Sequence, residues 1–443
     1  MADSWRSAGG AVLIRGGTVV DASGKRVADV LVRGAVVAEV GLDLEDDGGG
    51  VAVLDASGCV VAPGLVDLHT HLREPGREEA ETVDTGARAA ALGGYTAVVA
   101  MPNTDPPIDS ASVVRQVLDL GSGAVCEVAV AGAITVGRAG KLLAPFAEMA
   151  ELGVQLLTDD GAGVQDARLM RRAMEYASVL GIRLAQHCEN ASLAAGGHMH
   201  EGEWSSRLGL AGIPAEAESL MVMRDLALAR LTGAPMHFLH LSTAMSLELV
   251  RQAKATWAEA AGPPAQITAE VAPHHFTLTD AAVASYDPVY KVNPPLRTAA
   301  DVAAVKAALA DGTVDAIATD HAPHAQEDKE APFDQAPPGM LGLETALALA
   351  LTELDLPIER VLALMSWQPA AIAGLSGRHG GPIARGRPAN LCVIDPEASW
   401  VVEPARLASR SRNCPYGGRR LTGRVRHTIF RGTPVVVDGE AQR

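Results

Sequence analysis

Two histidines one residue apart, His69 and His71, sit in the stretch Asp67-Leu-His-Thr-His-Leu-Arg73-Glu-Pro-Gly76. On a β-strand, residues i and i+2 share a face, so both imidazoles point the same way. Neutral imidazoles that converge suit a divalent cation of the zinc type. An H-x-H pair alone is a weak sign. Four later apolar runs end in comparable residues: Thr158-Asp159-Asp160-Gly161, Gln186-His187-Cys188-Glu189, His240-Leu-Ser242, and Ala318-Thr319-Asp320-His321-Ala-Pro-His324. Brought to one place, imidazole pairs with a carboxylate between them describe a two-metal hydrolytic site. Parity along residues 154–160 leaves open whether Asp159 or Asp160 faces inward.

Placing such scattered residues together requires strands that end at one face. Short apolar runs at 65–71, 97–101, 126–134, 154–160, 182–189, 236–242, 267–275 and 314–321 alternate with helical patterns, which predicts βα units and a parallel sheet. Eight such strands close most economically as an α/β, (β/α)8 TIM-like barrel, whose chemistry sits where strands end. Two helices are predicted at 166–180 and 216–231. In the second, Leu220, Met223, Leu226 and Leu231 form an apolar stripe expected to pack on the barrel. Residues 11–20, 27–40 and 51–61, and 390–394, 400–402, 425–431 and 435–437, read as short β segments. The two ends are expected to form one small β-sandwich with the barrel inserted between them. The divisions are then 1–64, 65–375 and 376–443.

The 443 residues are 48% hydrophobic and 20% charged, enough apolar material for a sizeable core, which rules out a disordered or fibrous chain. Aromatics make up 3%, so that core must be built from Ala, Val and Leu. Acids outnumber Lys and Arg by 53 to 37, for a net charge of −16. Such a chain has no global attraction for nucleic acid or anionic membranes. The five cysteines contain no C-x-x-C pair, so neither a disulfide framework nor a thiolate zinc site is indicated. With no signal-peptide pattern at the start and no apolar run of about 18 residues, a cytoplasmic setting is expected.

In order along the chain, D-x-H-x-H-L-R-E-P-G, Met101-Pro-Asn103-Thr104, T-D-D-G, Q-H-C-E, H-L-S-T, Val292-Asn293-Pro-Pro-Leu-Arg297, A-T-D-H-A-P-H and Gly342-Leu-Glu-Thr345 resemble the class I bacterial dihydroorotases of the amidohydrolase superfamily. The resemblance covers roughly residues 65 to 375. It implies that His69, His71 and Asp320 hold one zinc ion, that His187 and His240 hold a second where two are bound, and that Asp160 bridges them. Many hydantoinase-like relatives bridge with a carboxylated lysine; residues 154–160 contain none. The implied reaction is the reversible cyclisation of N-carbamoyl-L-aspartate to (S)-dihydroorotate, a step of pyrimidine synthesis, with Asp320 as the proton-transferring catalytic residue. The substrate carboxylate needs a partner away from the metals. Arg73 offers a planar fork for it, and Asn103 can add a donor. The resemblance adds His71, Asn293, His324 and the backbone at Pro338 and Gly339 as substrate contacts, although Pro338 stands where the family often has an aromatic residue.

Two rival readings are another cyclic amidohydrolase, acting on hydantoin, dihydropyrimidine or allantoin rings, and a non-catalytic partner of aspartate carbamoyltransferase. Catalysis and such a complex are not exclusive, and a homo-oligomer is compatible with either. His274 and His275 are expected to make structural hydrogen bonds, His198, His200, His379 and His427 to be bystanders, and Cys188 to be a buried small hydrophobe. Residues 327–339 read as a mobile lid.

Overall fold

The computed structural model describes residues 10–45, 50–258 and 266–442. Eight parallel strands form its centre: β1 (Leu65–Thr70), β2 (Tyr95–Ala100), β3 (Glu127–Val130), β4 (Leu156–Thr158), β5 (Arg183–Gln186), β6 (Met236–Phe238), β7 (Ile267–Val271) and β8 (Ala316–Ile317). Each pairs in parallel with the next through β1–β2–β3 and β4–β5–β6–β7–β8. Single parallel bridges, Gly132 to Leu157 and Thr70 to His321, complete the circle. The fold is therefore a closed (β/α)8 barrel. β1, β2, β4, β6 and β8 are buried along their whole length, as strands covered on both faces are, whereas Glu127 and Ala129 of β3 are half-buried. Val66, Leu68, Ala97, Val99, Leu156, Ala185 and Ala316 form one apolar layer shared by five strands. The β1–β2 register shifts between Asp67 and Thr70, just where His69 leaves that layer.

Two sheets flank the barrel. One holds Val36–Gly41, Asp29–Arg33, Ala11–Arg15 and Ala52–Asp55; the other runs from Glu440–Ala441 through Arg420–Phe430, Leu391–Val401 and Val60–Pro63 to Gly24–Val27. Leu391–Val401 pairs antiparallel with Val60–Pro63, so the two chain ends join within one sheet. Val12, Ile14, Val30 and Val32 from the first sheet meet Val19, Val61, Leu391, Val393 and Ile429 from the second in a separate core. The segments predicted at 390–394 and 400–402 are parts of one 11-residue strand.

Two expectations need correction. The seventh run ends as a strand at Val271; Pro273 then opens a short helix, Pro273–Thr277, because proline suits a first helical turn and cannot donate to a sheet. The helix predicted at 216–231 spans Glu216–Thr232, yet its apolar stripe faces outward: Leu220, Met223 and Leu231 are 47, 51 and 63% exposed, and of the four only Leu226 is buried. The inward face carries Ala217, Met221, Val222 and Ala229 with two acids one heptad apart, Glu218 and Asp225. Both acids have buried partners: Glu218 accepts from the backbone N–H of Ser242 and Thr243, and Asp225 accepts from the Gln186 amide. The inward face thus buries Met221, Val222 and Leu226 around two paired acids.

Candidate metal centre

The site lies where the barrel strands end. Asp160, two residues beyond β4, is surrounded by four imidazoles. Its Oδ2 lies 3.4 Å from His69 Nε2 and 3.5 Å from His71 Nε2, while its Oδ1 lies 3.5 Å from His187 Nδ1 and 3.4 Å from His240 Nε2. One carboxylate thus serves two triads of buried side chains, each compact enough for one cation. Asp320 closes the first triad from the β8 side, with Oδ1 3.3 Å from His71 Nε2 and 3.6 Å from His69 Nε2. The choice left open by parity is decided by Thr135, whose backbone N–H donates to Asp159 at 2.9 Å and whose hydroxyl bonds the same carboxylate. Asp159 faces that loop and Asp160 faces the imidazoles.

The donor set fits divalent cations. His69 Nδ1 lies 2.9 Å from Glu270 Oε1 and His71 Nδ1 2.8 Å from Asn103 Oδ1, so each carries its proton outward and turns a lone pair on Nε2 inward. His69 Nε2 is buried with no hydrogen-bond partner. His187 Nδ1 and His240 Nε2 face each other at 3.0 Å, an arrangement that two lone pairs cannot hold without a proton or a cation. A tetrahedral zinc ion with Zn–N of about 2.1 Å sets its ligand atoms about 3.4 Å apart, the spacing found around Asp160. Burial by itself would raise the pKa of Asp160, but His69, His187 and His240 outweigh it and hold the carboxyl well below the usual range. Asp320 is likewise held low against burial, by His71, His69 and His240. His240 and Asp320 have φ of +29° and +46°, conformations that non-glycine residues adopt at a cost of about 1–3 kcal/mol each.

Beside the two triads lies a polar rim. Arg73, also at positive φ (+62°), is buried and donates from Nε to the Pro323 carbonyl at 3.0 Å, with one terminal nitrogen 3.5 Å from His324 Nε2. Asn103 uses its carbonyl oxygen on His71. Asn293 keeps a buried side-chain oxygen without a partner. His324 donates from Nε2 to the Pro338 carbonyl at 2.8 Å; burial and the neighbouring Arg73 lower its pKa to about 2, so it stays neutral. Gly339 has φ +149°, and a Cβ there would meet His324 Nε2 at 2.7 Å and the Ala322 carbonyl at 2.8 Å, so only glycine fits. The segment expected as a lid is fastened on its neighbours in this conformation. The Lys329 amine donates to the carbonyls of Pro288 and Pro337, the Lys291 amine donates to that of Phe333, and the Gly339 N–H donates to that of Lys291.

Several residues that the motif reading passed over support the site. Glu270 receives His69 and His237. Glu218 caps the loop after His240. Arg138 donates to the carbonyl of Asp160. The signal available for Glu270 was a lone carboxylate in the otherwise apolar run Ile267–Val271, which demands a partner; Glu218, beside Glu216, gave none. The remaining histidines divide. His275 donates to the Pro294 carbonyl at 3.0 Å, whereas His274 leaves Nε2 unpartnered 3.8 Å from Asp320 Oδ2. His200 meets Arg297, His379 meets Thr96 and Glu127, and His427 meets the backbone of Asp55 and Asp438, all away from the triads. Cys188 is buried in the core.

A family profile described as dihydro-orotase-like matches residues 58–246, and one described as amidohydrolase family matches residues 264–436. A dihydroorotase of Streptomyces coelicolor is 51% identical over 435 residues, covering 97% of this chain and 99% of the relative. One of Pelotomaculum thermopropionicum is 48% identical, covering 96% and 99%. Among solved structures, the L-hydantoinase (dihydropyrimidinase) from Arthrobacter aurescens superposes with a TM-score of 0.85 at 25% identity over 97% of each chain.

Proposed function

The chain belongs to the dihydroorotase family, and from that premise we infer how its barrel interconverts N-carbamoyl-L-aspartate and (S)-dihydroorotate in pyrimidine synthesis as a metal-dependent cyclic amide hydrolase. The observation that carries the reading is the division of Asp160, one oxygen to His69 and His71 and the other to His187 and His240. One zinc ion would be held by His69, His71 and Asp320 and a second by His187 and His240, with Asp160 within reach of both. When bound, zinc polarises the amide carbonyl and acidifies water.

The chain's own residues do the rest. Asp320, ionised and beside His71, takes a proton from the attacking water and passes it to the ring nitrogen as the C–N bond breaks. In the cyclisation direction it takes the proton from the ureido nitrogen as that atom attacks the carboxyl carbon, and returns it to the departing oxygen. Arg73 and the Asn103 amide hold the free carboxylate of the substrate away from the cation ligands. The unpartnered oxygen of Asn293 accepts from a ring N–H, and the backbone at Pro338 and Gly339, braced by neutral His324, borders the ring.

The barrel at 65–375 then does the chemistry, and the sandwich of 1–64 with 376–443 braces it. No helix among the described residues is long and apolar enough to cross a membrane, in keeping with a cytoplasmic enzyme. A homo-oligomer or a complex with aspartate carbamoyltransferase is compatible with this site. A hydantoinase-like activity is disfavoured by the sequence relatives and by Arg73 at the rim. Rates on dihydroorotate and on uncharged dihydrouracil, measured on protein purified without chelator, test the assignment. Dihydroorotate is expected to be preferred by orders of magnitude, and a preference for dihydrouracil overturns it.

A further inference from the structure

Below the cation ligands, a carboxylate sits on β7 between two imidazoles from other strands. Glu270 Oε1 lies 2.9 Å from His69 Nδ1 and Glu270 Oε2 lies 3.0 Å from His237 Nε2. All three side chains are fully buried. His237 Nδ1 is in turn 2.9 Å from the Thr268 hydroxyl, which can donate to it and leave Nε2 to carry a proton towards Glu270. Both oxygens of Glu270 therefore receive an N–H, and both donors are fixed in tautomer by the same carboxylate. A buried charge placed in the middle of Ile267-Thr-Ala-Glu-Val271 is costly unless it is fully paired; here it is paired on both oxygens, and one of the partners is a residue of the first triad.

We propose that Glu270, held by His237, is a positioning residue that locks His69 with its proton on Nδ1 and its Nε2 lone pair aimed into the cation site. The proposal rests on the metal-site reading above. A glutamine at 270 presents one acceptor and one donor where two acceptors are needed. It can keep an acceptor on His69 only if its amide N–H turns to His237, whose proton then moves to Nδ1 and is accepted by the Thr268 hydroxyl. A neutral carbonyl then replaces the carboxylate on His69, and its Nδ1–H is held less firmly. Where the amide N–H turns to His69 instead, that ring's proton moves to the nitrogen that faces Asp160 and its lone pair is lost.

The test is competition for Zn2+ between a chelator and the wild type, Glu270→Gln, His69→Ala and the double variant, with the melting temperature of each metal-free protein alongside. Glu270→Gln is expected to weaken the zinc that His69→Ala loses by about 10–100-fold. In the His69→Ala background, Glu270→Gln is expected to add nothing further, because the two residues act as one unit. Should Glu270→Gln fail to fold, His237→Gln, which keeps the carboxylate and loosens its second donor, is expected to weaken the same zinc by a smaller factor. Unchanged zinc affinity in a folded Glu270→Gln or, where that variant fails to fold, in a folded His237→Gln, or an equal loss with and without His69, overturns the inference. If the wild type takes up no zinc, it is the metal-site reading that has failed.

Discussion

Asp67 accepts from both the backbone N–H and the hydroxyl of Thr319, each at 2.7 Å, across 252 residues of chain. The bonded pair joins the first barrel strand to the end of the last at the point where the barrel closes. Each partner stands next to the chemistry: Asp67 precedes His69 and His71, and Thr319 precedes Asp320. The Thr70 hydroxyl donates to the same carboxylate. One buried acid thereby ties the strand that carries His69 and His71 to the segment that carries Asp320.

Replacing Asp67 by Ala leaves a buried N–H and two hydroxyls to find other partners. The expected loss of stability is about 1–3 kcal/mol, with a fall in kcat because Asp320 loses its anchor. Denaturant unfolding and steady-state kinetics on the same preparation check both effects.

Asp320→Asn is nearly isosteric but cannot accept the proton from the attacking water. We expect turnover to fall by at least the 10²–10⁴-fold that general acid–base catalysis contributes. Cooperative unfolding and part of the bound metal should survive. Activity within a few-fold of wild type would remove Asp320 from proton transfer.

Arg73→Met removes a guanidinium and keeps most of the apolar stem. A charge-assisted hydrogen bond contributes about 1.5–3 kcal/mol, so KM is expected to rise by about one to two orders of magnitude with a smaller change in kcat. An unchanged KM would contradict the carboxylate-holding role.

Glu344 supplies a pH test away from the metals. Its Oε1 accepts from the backbone N–H of Ala408 at 2.8 Å, yet burial, the largest influence, raises its pKa to about 7 from the ordinary 4.5. The folded chain then holds this proton more tightly than the unfolded chain. The stability tied to it is fully present below pH 4.5 and lost as pH rises towards 7. Glu344→Gln is expected to flatten that decline in chemical-denaturation midpoints, and an unaltered profile would show that the group titrates normally.

The barrel was legible because most of its strands are apolar runs that end in chemically loaded residues; His69 with His71, and Asp320 after Thr319, carried the signal. The support around them was not. Glu270 sits mid-strand, where a motif reading sees periodicity and passes over a single acid. The helix Glu216–Thr232 shows the same blind spot more plainly. Periodicity assigns Leu220, Met223 and Leu231 to the core, but the buried face is the one that carries Met221, Val222 and the paired Glu218 and Asp225, and those three residues face solvent. Which carboxylate of Asp159 and Asp160 faces the imidazoles depended on Thr135, 24 residues away, a contact that no local pattern encodes.

The central claim is that Asp160 is shared by two cation sites, and an anomalous-difference map from crystals of active enzyme, recorded at the zinc edge, tests it most directly. The account predicts density against Asp160, one peak beside His69 and His71 and, where a second ion is bound, another beside His187 and His240. Fully active crystals with no anomalous density there would contradict it.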